Sequence, residues 1–212
     1  MLKGLLLKDL IILKKGLLIG LAVLVFYSVI GMSSEDISFF STYFVIFFTI
    51  VSMSSYSLDE QARWTPYALT TTTRNKLVQS KYLLAFIMVI LGFICSFVLP
   101  LLQQITQSGT LVLTISPLIW GALFISLLFN FILLPIIFKL GSENSRLIIF
   151  ALLAIPTILI VILSKNNLVP TINQATLESI ISYLPFFGVI SILVFGILSY
   201  SISLKIVKKM DF

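Results

Sequence analysis

The sequence predicts an all-α integral membrane protein: six transmembrane helices, both termini in the cytoplasm, and an interfacial helix at the N-terminus. Three observations predict it. Of 212 residues, 59% are hydrophobic and only 10% are charged, against about 25% charged in an ordinary soluble domain. A soluble fold of this length lacks the polar cover for so much apolar surface. Uncharged stretches run from Gly16 to Ser34, Ile37 to Leu58, Tyr82 to Phe138, Leu147 to Ser164 and Ser179 to Leu204. A crossing takes roughly 20 apolar residues, so each stretch reaches across a bilayer and the third reaches twice. Finally, all but one of the 14 Lys and Arg residues fall on one side of that topology.

The N-terminal segment 1–15 is rich in Leu and Lys and is predicted to lie in the membrane interface as a helix. On a helical wheel Leu2, Leu5, Leu6, Ile12 and Leu13 share one side and the lysines lie broadly opposite. Asp9 breaks the pattern by falling within the apolar face, while Leu7 and Ile11 fall among the lysines. Lys8 and Asp9 are therefore expected to contact another protein element. The first transmembrane helix is predicted over 16–33. Reading the first 34 residues as a cleaved secretory signal fits less well, because the uncharged run exceeds a usual signal core and no small-x-small pattern closes it.

The second helix is predicted over 37–57, followed by a cytoplasmic connection over 58–81, LDEQARWTPYALTTTTRNKLVQSK. Asp59 to Trp64 favour a helical turn, Pro66 is expected to interrupt it, and Asn75 to Lys81 lead into the third helix. Taken singly, Trp64 and Tyr67 suit anchoring at the headgroup level. The third helix is predicted over 82–102, and the polar run Gln103, Gln104, Thr106, Gln107, Ser108, Gly109 separates it from a fourth over 112–138. Pro117 is an alternative start, since proline suits a first helical turn, and a broken or re-entrant segment is an alternative architecture here. The fifth helix is predicted over 147–164. In the extracellular segment 165–182, Thr171 and Gln174 have capping-box spacing, and Leu177, Ile180, Ile181 and Leu184 follow at helical intervals. That segment is either a short amphipathic outer helix or the start of the sixth transmembrane helix, 183–204.

Orientation follows from charge. Lys3, Lys8, Lys14, Lys15, Arg63, Arg74, Lys76, Lys81, Lys139, Arg146, Lys205, Lys208 and Lys209 share one side and only Lys165 lies on the other. The positive-inside rule places the larger group, and both termini, in the cytoplasm. The same sidedness accounts for the net charge of +6 without a nucleic-acid partner.

Several chemistries are excluded. With no His and a single Cys, Cys95, the chain lacks the parts of zinc sites, Cys/His nucleophile pairs, Ser-His-Asp triads and internal disulfides. No catalytic or metal-ligating residues are predicted. The chain has no phosphate-binding loop motif, so no ATP hydrolysis and no bound cofactor are expected of it. No Asp, Glu, Lys, Arg or His falls within a predicted membrane core, which argues against proton-coupled transport and voltage gating. An active transporter of this kind needs its energy from another polypeptide. Within the fourth helix Asn130 calls for a partner, whether another helix, a substrate path or its own copy across a dimer. Ser28, Thr49, Ser52, Ser54 and Ser55 are expected to hydrogen-bond back to their own helices.

The N-terminal LLLKDLIILKK segment, the six-helix pattern and the connection after the second helix resemble the ABC type-2 permeases, the membrane subunits of ATP-binding-cassette exporters. Tyr56, Asp59, Glu60, Trp64, Tyr67, Arg74, Lys76, Val78, Ser80, Lys81 and Tyr82 match a small-permease pattern found in the permeases of phenol-soluble modulin exporters. Thr71 stands where that subgroup often has proline. The resemblance implies a type-2 ABC exporter transmembrane domain working as a half-transporter. Two permease subunits, identical or related, would each rest on a cytoplasmic ABC ATPase that binds ATP and Mg. It further implies that Asp59, Glu60, Gln61, Ala62, Arg63, Trp64 and Tyr67 form the ATPase-coupling element. Asp59, Glu60 and Arg63 would be its charged docking groups and Trp64 its aromatic anchor, with the N-terminal segment as a brace. Asn173 to Tyr183 would cap the exit. The conduit walls, mainly helices one, two and five, are almost wholly apolar, so the expected cargo is an amphipathic peptide of the phenol-soluble modulin type, exported across a bacterial plasma membrane. Efflux of antimicrobial peptides or hydrophobic drugs is the nearest alternative. A structural assembly factor and a lipid-modifying enzyme are more distant ones.

Overall fold

A computed structural model describes residues 2–31, 37–107, 117–165 and 174–209. Among them the chain forms seven helices and no strand: α1 (Leu2–Gly31), α2 (Ile37–Gln61), α3 (Trp64–Thr71), α4 (Arg74–Ser96), α5 (Val98–Gln107), α6 (Pro117–Lys165) and α7 (Gln174–Lys209). Among the described residues four stretches, Ser41–Gln61, Arg74–Leu102, Ile119–Ser142 and Gly188–Lys209, are long and apolar enough to cross a membrane.

The packing is centred on α2, which lies against α1, α4 and α6, while α7 lies against α6 and α4. Leu13, Phe48, Val51, Leu84 and Met88 fill the space among α1, α2 and α4. Tyr56, Ala85, Leu133, Leu134 and Ile137 do the same among α2, α4 and α6. In a bilayer such contacts gain by close fit rather than by escape from water. Gly92 shows how close: a methyl there would come within 3.0 Å of the Phe44 carbonyl oxygen, the Val45 Cα and the Phe48 Cβ. Leu193, Val194, Phe195, Ile197 and Leu198 of α7 and Leu18 and Ile19 of α1 point outward, as side chains meeting lipid do.

Several boundaries differ from expectation. The predicted interfacial segment 1–15 and first transmembrane helix form one uninterrupted helix, because the Leu/Lys/Ile run contains no breaker and one Gly16 costs only about 1 kcal/mol. Pro66 does not end the helical turn after α2. The break falls at Ala62 and Arg63, where Arg63 adopts the left-handed conformation at φ 48°. Pro66 instead sits in the first turn of α3, where its missing N–H sacrifices no bond. The third helix starts earlier than predicted, at Arg74, and after an interruption at Phe97 the helical path continues through the polar residues as far as Gln107.

The predicted fourth and fifth helices are the two arms of α6, joined by a kink at Gly141 (φ 80°, ψ 169°) rather than by a loop. The predicted start of the fourth helix at 112 lies outside the described residues, as do 166–173 of the outer segment. The rest of that segment from Gln174 continues into the sixth predicted helix without a break.

Candidate functional site

Helical spacing puts charged residues where apolar ones would be expected. Leu5, Asp9 and Leu13 follow one another at intervals of four along the buried face of α1. On α4, Lys81 shares a face with Leu77, Val78, Leu84, Ala85 and Met88. On α2, Asp59 follows Ser55 and Tyr56 by four and three residues, and all three are buried. When α1 and α4 pack on α2, Asp9, Asp59 and Lys81 meet, with 1%, 5% and 6% of their surfaces exposed.

The resulting network closes on itself. The Lys81 Nζ donates to both carboxylate oxygens of Asp9 at 3.1 Å, to Ser55 Oγ at 2.9 Å, and to Asp59. Lys8 Nζ reaches the other oxygen of Asp59 at 2.6 Å and Asp9 at 2.9 Å. Two cations and two carboxylates thus balance. Taking each ion out of water costs several kcal/mol, which only such complete pairing offsets. Two aromatic faces complete the enclosure: Lys8 Nζ lies 4.8 Å from the Trp64 ring centre and Lys81 Nζ 4.9 Å from that of Tyr56. The rings of Trp64 and Tyr67 stand 5.3 Å apart. A cleft of about 280 Å³ opens beside the network, bordered by Lys8, Asp59, Glu60, Trp64, Lys81 and Gly141.

The residues predicted to form one docking element therefore separate into three groups. Asp59, and in part Trp64, belong to the internal network with Lys8 and Asp9. Asp59 differs in this from the rest of the predicted element: its carboxylate is enclosed and paired within the chain rather than facing outward. Glu60 turns toward α6, where one of its oxygens accepts a hydrogen bond from the Ser142 backbone N–H. Gln61, Ala62 and Arg63 are exposed, as is Tyr67 at 64%, and these four form an outward strip.

Asn130 is buried at the contact of α6 with α2. Its amide donates to the Ser126 carbonyl at 2.9 Å, and Ser52 Oγ, whose proton goes to the Thr49 carbonyl at 2.6 Å, lies 3.4 Å from its side-chain oxygen. Thr49, Ser52 and Ser54 bond back to their own helix as expected, whereas Ser55 serves the network. At the far side of the bundle Tyr82 Oη pairs with Ser199 Oγ at 2.6 Å and Ser203 Oγ at 2.8 Å, and Arg74 donates to the Lys208 carbonyl in the last turn of α7.

Sequence reasoning did not assign Lys81, Ser55, Gly141 or Ser142 to the site. For Lys81 a signal existed, since its spacing from Leu77, Leu84 and Met88 puts it on an apolar face. For Gly141 and Ser142 there was none, because their partner Glu60 lies 82 positions away. No group of three His, Cys, Asp or Glu able to hold a metal ion occurs among the described residues.

The profile of the ABC-2 family transporter proteins matches residues 4–208. No curated protein and no solved structure matches the chain.

Proposed function

Matched over nearly its whole length, the chain belongs to the ABC-2 family of transporter proteins, and from that membership we propose that it is an exporter permease driven through the strip Gln61, Ala62, Arg63 and Tyr67. It is a multi-pass membrane protein and the transmembrane subunit of an ATP-binding-cassette transporter, a family whose members work with a partner ATPase subunit. Membership in a transporter family sets aside the assembly-factor and lipid-modifying alternatives.

The observation that supports the coupling role is the junction of α1, α2 and α4 through Lys8, Asp9, Asp59 and Lys81. It lies at the base of the exposed turn, so a push on that turn reaches three helices at once. The side bearing this turn is the cytoplasmic one on the positive-inside count, and six crossings with both termini inside complete the topology. The α6 kink falls on that same side. Arg63 and Tyr67 supply the charge and the aromatic surface typical of energetically dominant contacts.

The cargo in this reading is an amphipathic peptide of the phenol-soluble modulin type, moved by two permease subunits across a bacterial plasma membrane. The apolar outward faces of α1 and α7 suit a cargo that enters from, or leaves to, the lipid. Antimicrobial peptides and hydrophobic drugs share that chemistry, and competition with labelled modulin-like peptide in vesicles separates them. Affinity purification of the tagged chain from native membranes tests the coupling role. A stoichiometric ATPase subunit should accompany the wild-type chain and be lost with Arg63→Glu/Tyr67→Ala. Absence of an ATPase from the wild-type preparation would overturn the reading.

A further inference from the structure

The kink of α6 is built around a side chain from α2. At Gly141 the backbone takes φ 80° and ψ 169°, a conformation that essentially only glycine adopts. A break of this kind deprives the following arm of its preceding carbonyls, so the first N–H groups of that arm need acceptors from elsewhere. The Glu60 carboxylate supplies one, at the Ser142 N–H. An anionic acceptor there both caps the arm and meets the positive end of its dipole. The absence of a side chain at Gly141 serves the same contact, because a methyl would run into the other Glu60 oxygen. The bend is also stitched along its own chain: Asn144 Nδ2 donates to the Leu140 carbonyl at 3.1 Å and Ser145 Oγ to the Ser142 carbonyl at 3.0 Å. Ser142 and Ser145 are both buried.

Adjacent residues of α2 thus hold different partners. Asp59 holds α1 and α4, Glu60 holds α6, and the exposed Gln61–Arg63 turn follows directly. We infer that Glu60 is a positioning residue that fastens the turn after α2 to the bend of α6, so that movement of the turn is passed to both arms of that helix. The inference rests on the exporter reading for its functional consequence, but not for the contact. Glu60 is otherwise solvent-exposed, so the carboxylate gains little for itself by leaving water; what the bond satisfies is the N–H of buried Ser142 at the break of α6.

The test uses the permease reconstituted with its ATPase and four variants: Glu60→Ala, Glu60→Gln, Ser142→Pro, and Glu60→Ala with Ser142→Pro. Proline deletes the Ser142 N–H together with the side-chain hydroxyl, at a first-turn position that tolerates it and after a backbone ψ that accepts a following proline. Glu60→Ala and Ser142→Pro are each expected to lower substrate moved per ATP hydrolysed about tenfold, the scale of one charge-assisted hydrogen bond, with the ATPase subunit still bound. The double variant should be no worse than either single one. Glu60→Gln should recover most of the loss, because its amide oxygen still accepts. Additive losses in the double variant, unchanged transport in Glu60→Ala, or release of the ATPase by Glu60→Ala would each overturn the inference; the last would make Glu60 a docking group after all. Amide exchange in the purified permease alone tests the contact without any ATPase. Exchange at Ser142 should accelerate about tenfold in Glu60→Ala, and an unchanged rate overturns the contact. If the wild-type chain binds no ATPase, the exporter reading fails while the exchange result still decides the contact.

Discussion

Lys81 holds two carboxylates from two different helices, and its loss leaves Asp9 and Asp59 facing each other with only Lys8 between them. Removing one partner from such a buried group costs about 3–5 kcal/mol. Lys81→Met is accordingly expected to lower the apparent unfolding temperature in detergent sharply, whereas Lys76→Met on the exposed side of α4 should leave it unchanged. Asp9 was legible in the sequence as a charge on an apolar face. Lys81 was less so, because a lysine near a helix end ordinarily extends its head group to water. Asp59 was legible as part of a motif but not in its direction, since nothing in a DEQAR string tells which carboxylate turns inward. Only the pairing of α1 and α4 on α2 decides that.

At the level of helices, local signals and tertiary packing disagree in informative places. Where they fall on described residues, the uncharged stretches lie on helical backbone, but the break expected over 139–146 is a kink and not a loop, because polar or charged residues in a loop and in a kinked helix look alike when Gly141 is their only breaker. Pro66 read as an interruption because position within a turn, not residue type, determines whether proline breaks a helix. Two expectations belong here. Gly92→Ala should destabilise by about 1–3 kcal/mol, seen as a lower detergent midpoint, since its contacts are the α2 backbone rather than flexible side-chain ends. Arg63→Gly should do the opposite for the fold. It relieves the left-handed strain at φ 48° by up to about 1 kcal/mol, yet it removes a charge from the exposed strip. Higher thermal stability combined with weaker ATPase retention would distinguish a partner-facing residue from a structural one.

For the molecule as a whole, composition and charge asymmetry were enough to indicate a membrane bundle with one basic side, and the family match agrees with the transporter class. The fit among helices was not legible: the Ser52–Asn130 link, the Tyr82 contacts with Ser199 and Ser203, and the Glu60–Ser142 bond all join residues far apart in sequence. The central claim is that a coupling unit anchored by Lys8, Asp9, Asp59 and Lys81 converts ATPase movement into export. Its most direct test is ATP-dependent movement of a labelled amphipathic peptide in proteoliposomes containing the permease and its ATPase, comparing wild type with Asp59→Asn. The account predicts ATP-dependent transport by the wild type and its loss in Asp59→Asn while the ATPase stays bound and continues to hydrolyse ATP. Transport by Asp59→Asn at the wild-type rate, or none by the wild-type complex with any amphipathic peptide, would contradict it.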